Sequence, residues 1–232
     1  MNTQASKEPK GLIETDNSFA LEEPKLRQLL ELAQTNQVQS ILEFGSGQST
    51  AAFCRVLKDA QVVSVESSAY YMEATRQLCE SVNTPHQDPT LIHLPIQWQR
   101  HSKRLYLSYA LSKLPQEIQT KRFDLCFIDG PVQNHTLAGR EYILYKVFDR
   151  LSEGAIIVVD DAHRNDSKVG LQNWLRTFDR SLEVVMTQPK LVVLRKTKDL
   201  QTHQALGSHG WFKHHLKIPK VIYKTMRYST GK

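Results

Sequence analysis

Cysteine is scarce in this chain of 232 residues: Cys54, Cys79 and Cys126 are its three. They are too few and too scattered for a disulfide framework, and no C-x-x-C pair marks a zinc site. A reducing, cytoplasmic setting is the default expectation. No apolar run approaches the ~20 residues that a membrane-spanning helix needs. The opening MNTQASKEPKG is polar and lacks the apolar core of a secretory signal. No internal repeat or low-complexity tract is present. Acidic residues are absent beyond Asp199. What remains is ordinary for a folded protein: 40% apolar and 23% charged residues, which excludes a wholly disordered chain. At roughly 150 residues per domain, the length suits one large domain with trimmings.

The formal net charge is +6, from 30 Lys and Arg against 24 Asp and Glu. Six cations lie beyond Leu200: Lys213, Lys217, Lys220, Lys224, Arg227 and Lys232. Residues 1–199 therefore hold 24 charges of each sign, and the basic character belongs to the terminal segment. That segment mixes its lysines with Trp211, Phe212, Leu216, Ile218, Val221, Ile222 and Met226. It suits folding back on the domain or on a sister subunit in a homodimer, seating on an anionic membrane surface, or binding nucleic acid.

Three segments are expected: a disordered lead-in over 1–18, a domain over 19–199, and a basic extension over 200–232. Phe19 to Asn36 reads as a helix, with Pro24 in its first turn and Leu26, Leu29, Leu30 and Ala33 on one face. Short apolar runs follow: SILEF from Ser40, VVSVE from Val62, LIHLPI from Leu91, FDLCFID from Phe123 and AIIVVD from Ala155. Such runs suit strands buried on both faces. Amphipathic stretches separate them, including Leu144, Val147, Phe148 and Leu151 on one face, and Leu171, Trp174, Leu175 and Phe178 on another. Gly154 stands where a helix C-terminal glycine belongs. Five strand-then-helix units imply a doubly wound α/β sheet. Leu182–Thr187 and Leu191–Arg195 are separated by three residues, too few for a crossover helix, so they should close the sheet as an antiparallel hairpin. The expected fold is Rossmann-like, with seven mostly parallel strands and helices on both faces.

The first strand runs into Glu43-Phe44-Gly45-Ser46-Gly47-Gln48-Ser49-Thr50. A glycine turn between first strand and helix lets a ligand approach the backbone. The second strand ends in Glu66, where a carboxylate can accept both hydroxyls of a ribose. Together these predict an adenosine-containing cofactor. Three details favour S-adenosylmethionine over a dinucleotide. Thr50 replaces the third glycine of the phosphate fingerprint. Glu43 would repel a pyrophosphate and suit a cationic amino-acid moiety. The terminal hairpin is unusual for dehydrogenases.

On these residues the sequence resembles class I S-adenosylmethionine-dependent methyltransferases over about 38–196. Glu43–Gly47 looks like their E/D-x-G-x-G motif. The runs from Gly45 to Thr50, Phe123 to Pro131 and Val159 to Arg164 resemble the GSG-x-ST, IDGP and DDA-x-R blocks of a bacterial subgroup. The resemblance implies that Glu43, Gly45, Ser46, Gly47 and Ser49 surround the cofactor, and that Glu66, with Ser67 beside it, takes the ribose. The acceptor is expected to be an oxygen on a small molecule, since no N-P-P-Y tetrad follows the fourth strand.

Asp129, Asp160 and Asp161 should converge at strand C-termini. They have three readings. Asp129 or His163 acts as general base, with Asp160 beside it. Asp129, Asp160 and Asp161 hold Mg²⁺, as the resemblance to catechol-type O-methyltransferases implies. Or Asp160 and Asp161 cap the next helix while Asp129 orders the Gly130-Pro131 turn. Arg140 could hold an anionic substrate group or pair on a helix surface, and His135 lies in the same stretch. Trp98, Tyr106 and Tyr109 suit a substrate cover or core packing. An NAD(P)-dependent oxidoreductase would use the Y-x-x-x-K spacing of Tyr142 and Lys146. A non-catalytic scaffold would act through its basic tail.

Overall fold

The computed structural model describes residues 21–81, 87–200 and 214–229. The lead-in, the residues of the expected first helix before Leu21, and Trp211, Phe212 and Lys213 of the tail lie outside the described residues. In chain order the elements are α1 (Glu23–Thr35), β1 (Ser40–Phe44), α2 (Gln48–Val56), β2 (Gln61–Glu66), α3 (Ala69–Glu80), β3 (Thr90–His93), β4 (Ile96–His101) and β5 (Arg104–Tyr109). They continue as α4 (Gln116–Thr120), β6 (Phe123–Ile128), α5 (Gly139–Val147), β7 (Leu151–Asp160), α6 (Asn165–Phe178), β8 (Leu182–Thr187), β9 (Leu191–Lys196) and α7 (Ile218–Ser229).

Seven strands form one sheet in the order β3-β2-β1-β6-β7-β9-β8. The sheet is parallel except at β9, which runs antiparallel to both β7 and β8. The expected terminal hairpin is present, with its second strand inserted beside β7 and its first strand left at the edge. Side chains alternate across the sheet. Leu42, Cys126 and Ile157 enter one core with Leu144 of α5 and Trp174 of α6. Ile41, Leu125 and Ile156 enter the other with Leu29 of α1 and Phe53 of α2. Both faces are covered, which is why the strand runs are continuously apolar. The chain moves from β1 outward to β2 and β3 on one side, then returns to place β6 on the other side of β1, so the C-terminal ends of β1 and β6 make a topological switch point, where open α/β sheets bind ligands.

Four local expectations are corrected. The run LIHLPI is two elements: β3 stops at His93, Pro95 has no N–H to continue a ladder, and Ile96 opens β4. β3 is followed by no helix of the expected kind. β4 and β5 form a separate antiparallel hairpin, turned at Ser102 with φ 54°, before the short α4. Gly154 lies inside β7 with φ 83°, where the β6–β7 register is irregular, because the helical turn has already ended and Leu151 starts the strand. Leu144 and Val147 share α5 as expected, but Phe148 falls in the 3₁₀ turn after it and Leu151 in β7.

Tyr106 and Tyr109 are buried, while Trp98 is exposed. The Tyr106 hydroxyl donates to Glu141 at 3.3 Å, which places Tyr106 between the hairpin and α5, while Tyr109 packs against Phe44 of β1 with its hydroxyl against the Gly130 turn. The described part of the tail folds back on this hairpin. Val221 packs on Leu107 and Leu137, His214 Nε2 lies 2.6 Å from the Leu105 carbonyl oxygen, and Lys217 Nζ lies 2.5 Å from Asp166 Oδ1. No helix among the described residues is long and apolar enough to cross a membrane.

Candidate active site

The turn after β1 is built from below by Glu43. Its carboxylate is fully buried, and Oε1 accepts from Ser49 Oγ at 2.5 Å while Oε2 accepts from Ser64 Oγ at 2.7 Å and from the Thr50 hydroxyl. Thr50 Oγ1 in turn accepts from the Gly47 N–H at 3.0 Å. Glu43, Ser49 and Thr50 thus lie under the turn and hold its shape. Gly45, Ser46, Gly47 and Gln48 form its half-buried lip. Burial pushes the Glu43 carboxyl up to about 7, against the three hydroxyl donors that favour its ionised form.

A carboxyl raised above its unfolded value binds more protons in the folded state, so its contribution is full below about pH 4.5 and is lost as pH rises through about 7. The loss is about 3 kcal/mol across that window. Glu43→Gln should remove this component, giving urea-unfolding free energies that fall less between pH 5 and pH 8 than those of the native sequence. Equal slopes for the two proteins would contradict the assignment.

Gly45 has φ 98° and donates its N–H to the Val65 carbonyl at 2.9 Å. A Cβ here would stand 2.9 Å from the Gly130 nitrogen, and a Cβ on Gly130 would stand 2.2 Å from the Tyr109 hydroxyl. The turns leaving β1 and β6 therefore meet backbone to backbone. Glu66, at the end of β2, accepts from the Ser67 and Ser68 N–H groups through Oε1 at 2.6 and 2.8 Å, and from the Ser46 N–H through Oε2 at 3.2 Å. Gly45, Ser46, Gly47, Glu66 and Ser67 are brought together at one lip.

The second half of the site lies at the ends of β6 and β7. Carboxylate oxygens of Asp129, Asp160 and Asp161 all lie within 4.8 Å of one another. Arg140, buried on α5, runs beneath them. Its Nη1 donates to the Asp160 carbonyl at 2.7 Å, its Nη2 lies 3.3 Å from Asp129 Oδ1 and 3.6 Å from Asp161 Oδ2, and its Nε donates to the Pro131 carbonyl at 3.4 Å. Arg164 reaches Asp161 Oδ2 at 2.9 Å. Asp161 holds a left-handed backbone, φ 53°, between these two guanidinium groups. Lys25 of α1 reaches Asp160 Oδ1 at 2.8 Å. Burial pushes the Asp129 carboxyl up to about 6, with Asp160 and Asp161 adding to the rise and Arg140 and Lys25 opposing it.

The acids do not cap α6: its N-cap is Arg164, and no side chain bonds there. Arg140 pairs inside the protein, not on a helix surface. His163 is exposed beside the β7 turn, outside the carboxylate cluster, and His135 lies in the 3₁₀ turn Gln133–His135. Tyr142 is buried with its hydroxyl donating to Gln99 Oε1 at 3.1 Å, and Lys146 lies over the Tyr142 ring, so the Y-x-x-x-K spacing serves packing. Lys25 is the site residue that sequence reasoning missed. Pro24 marks the helix turn that carries it, but nothing local ties it to an acid 135 positions away.

The donor set does not suit a divalent ion. Each of the three carboxylates already faces a cationic side chain: Asp160 faces Lys25, Asp129 faces Arg140, and Asp161 faces Arg140 and Arg164. A metal would have to displace Lys25 and sit against two guanidinium groups.

This sheet order, with a glycine turn meeting the turn after β6 at the switch point, defines a doubly wound α/β domain with its ligand crevice at that point. Residues 42–162 match the family model described as a methyltransferase domain, and the chain belongs to that family. No curated protein matches the sequence. Among solved structures, the chain is similar to an O-methyltransferase from Bacillus cereus in complex with S-adenosylhomocysteine, at 17% identity and TM-score 0.58, covering 78% of this chain and 84% of that one. It is also similar to the O-methyltransferase TomG of Streptomyces achromogenes, involved in tomaymycin synthesis and bound to S-adenosylmethionine, at 19% identity and TM-score 0.54, covering 78% and 82%. A third is the S-adenosylhomocysteine-bound methyltransferase PaMTH1 of Podospora anserina, at 17% identity and TM-score 0.55, covering 82% and 89%. At these identities the likeness is one of fold.

Proposed function

We propose that this protein transfers the methyl group of S-adenosylmethionine to an oxygen of a small-molecule acceptor, with the catalytic domain over 19–199 and a basic extension over 200–232. The observation that carries the reading is the lip itself: Ser46 bonded to Glu66, over a glycine turn that meets Gly130 with no room for side chains. Gly45, Ser46 and Gly47 offer backbone to the cofactor, and Glu66 with Ser67 takes the ribose. Glu43 and Ser49 act by holding the turn. The family match and the cofactor-bound O-methyltransferase neighbours support the same chemistry.

Asp129 is the general base of this reading. The sulfonium methyl is already activated, so the protein mainly positions the acceptor and removes its proton. A carboxyl held near 6 is a better proton acceptor at neutral pH than an ordinary aspartate, and is still mostly ionised there. Turnover should therefore fall as pH drops through about 6.

Titration with S-adenosylhomocysteine, followed by calorimetry and thermal shift, tests the reading. The native protein should bind and gain stability through linkage, and NADH should do neither. Glu66→Gln keeps an oxygen for the Ser67 and Ser68 N–H groups but has no charge for the ribose, and should weaken binding by about tenfold or more. Asp129→Asn should bind the cofactor product unchanged. Stabilisation by NADH alone would overturn the assignment.

A further inference from the structure

Asp160 sits at the carboxyl end of β7 with its side chain 8% exposed, and the Lys25 side chain that reaches it is 15% exposed. Taking an ammonium and a carboxylate this far from water is costly before their attraction is counted. The pair joins the first turn of α1 to the carboxylate cluster. Lys25 also acts on Asp129, where its charge lowers the carboxyl against the effect of burial. It stands at the same group of acids as the proposed base.

We propose that Lys25 is the resident cation of the acceptor site, filling the place among Asp129, Asp160 and Asp161 that a divalent metal would otherwise take. The inference rests on the methyltransferase reading above. Three carboxylates this close would form a hard-cation site if they stood open. Here Lys25 and the guanidinium groups of Arg140 and Arg164 neutralise them. Arg140 is spent on two backbone carbonyls and two carboxylates. Lys25 is different: an ammonium is a compact charge with three donors, and Asp160 takes one of them. The other two can hold an acceptor oxygen.

The step balances without a metal. The acceptor oxygen forms a bond to the methyl carbon as the carbon–sulfur bond breaks, and that electron pair stays on sulfur to give a neutral thioether. The acceptor's proton passes to the Asp129 carboxylate. Lys25 keeps its proton and steadies the charge that develops on oxygen.

Manganese binding to the full chain, read by electron paramagnetic resonance with thermal shift alongside, tests the proposal without a known acceptor. The native protein should bind no Mn²⁺ up to about 1 mM. Lys25→Ala should bind it at least about tenfold more tightly than the native protein, and Lys25→Ala with Asp160→Asn should lose that gain. Lys25→Met serves in the same way if the alanine variant folds poorly. Mn²⁺ binding by the native protein that Asp160→Asn removes overturns the proposal, as does a folded Lys25 variant with no gain. S-adenosylhomocysteine is titrated into each protein in parallel. Its failure to bind any of them would sink the methyltransferase reading, a result separate from the metal measurements.

Discussion

Arg140→Met should destabilise the protein by about 3–5 kcal/mol, the range for breaking a buried charged network by removing one partner. The guanidinium is buried and holds the carbonyls of Pro131 and Asp160 together with the carboxylates of Asp129 and Asp161. Methionine fills much of the volume and returns none of these donors. Asp129, already raised to about 6, loses the strongest influence opposing that rise and should move further upward. Urea unfolding should show the loss, with a melting temperature lower by roughly 10 °C. Arg140→Lys should recover only part of it, because one ammonium cannot span four acceptors in the planar fork that Arg140 uses. A loss under about 1 kcal/mol for the methionine variant would place Arg140 with ordinary surface cations and contradict the buried network.

Gly45→Ala should be nearly as damaging, by a different route. The residue holds φ 98° and its Cβ would meet the Gly130 nitrogen at 2.9 Å. Backbone cannot swing aside as a flexible side chain does. Left-handed strain of about 1–2 kcal/mol adds to overpacking of about 1–3 kcal/mol. The turns after β1 and β6 should separate, taking S-adenosylhomocysteine binding with them. Gly47→Ala is the internal control. Nothing lies within 4 Å of a Cβ there, so stability should stay within about 0.5 kcal/mol of the native value. Should Gly45→Ala and Gly47→Ala prove equally stable, the backbone contact between the two turns is not what shapes this site.

Much of the site was legible because its signals are local. Gly45 and Gly47 follow an apolar run at the point where a buried strand must turn into a helix. Glu66 closes the next run, and the structure joins the two through the Ser46 N–H. Asp129, Asp160 and Asp161 stand at the ends of neighbouring strands, and their convergence follows from parallel order alone. Pro95 is where local reading misled: it sits inside an apolar run, and its missing N–H divides that run into β3 and β4. The aromatic residues of β5, Tyr106 and Tyr109, suited core packing more than a substrate cover, and both are buried.

Covalent order along the chain was enough to settle the layered architecture, the glycine turn and the terminal hairpin. Each depends on residues within a few positions of one another and on apolar runs whose burial is nearly forced. Which way a charged side chain faces depended on distant neighbours. Glu43 turned beneath the loop because Ser49, Thr50 and Ser64 offered hydroxyls there. Arg140 turned inward because carbonyls from two strand ends awaited it, and Lys25 met Asp160 across 135 residues. A buried charge must find its partners wherever the packed chain brings them, and only the assembled tertiary structure brings these together.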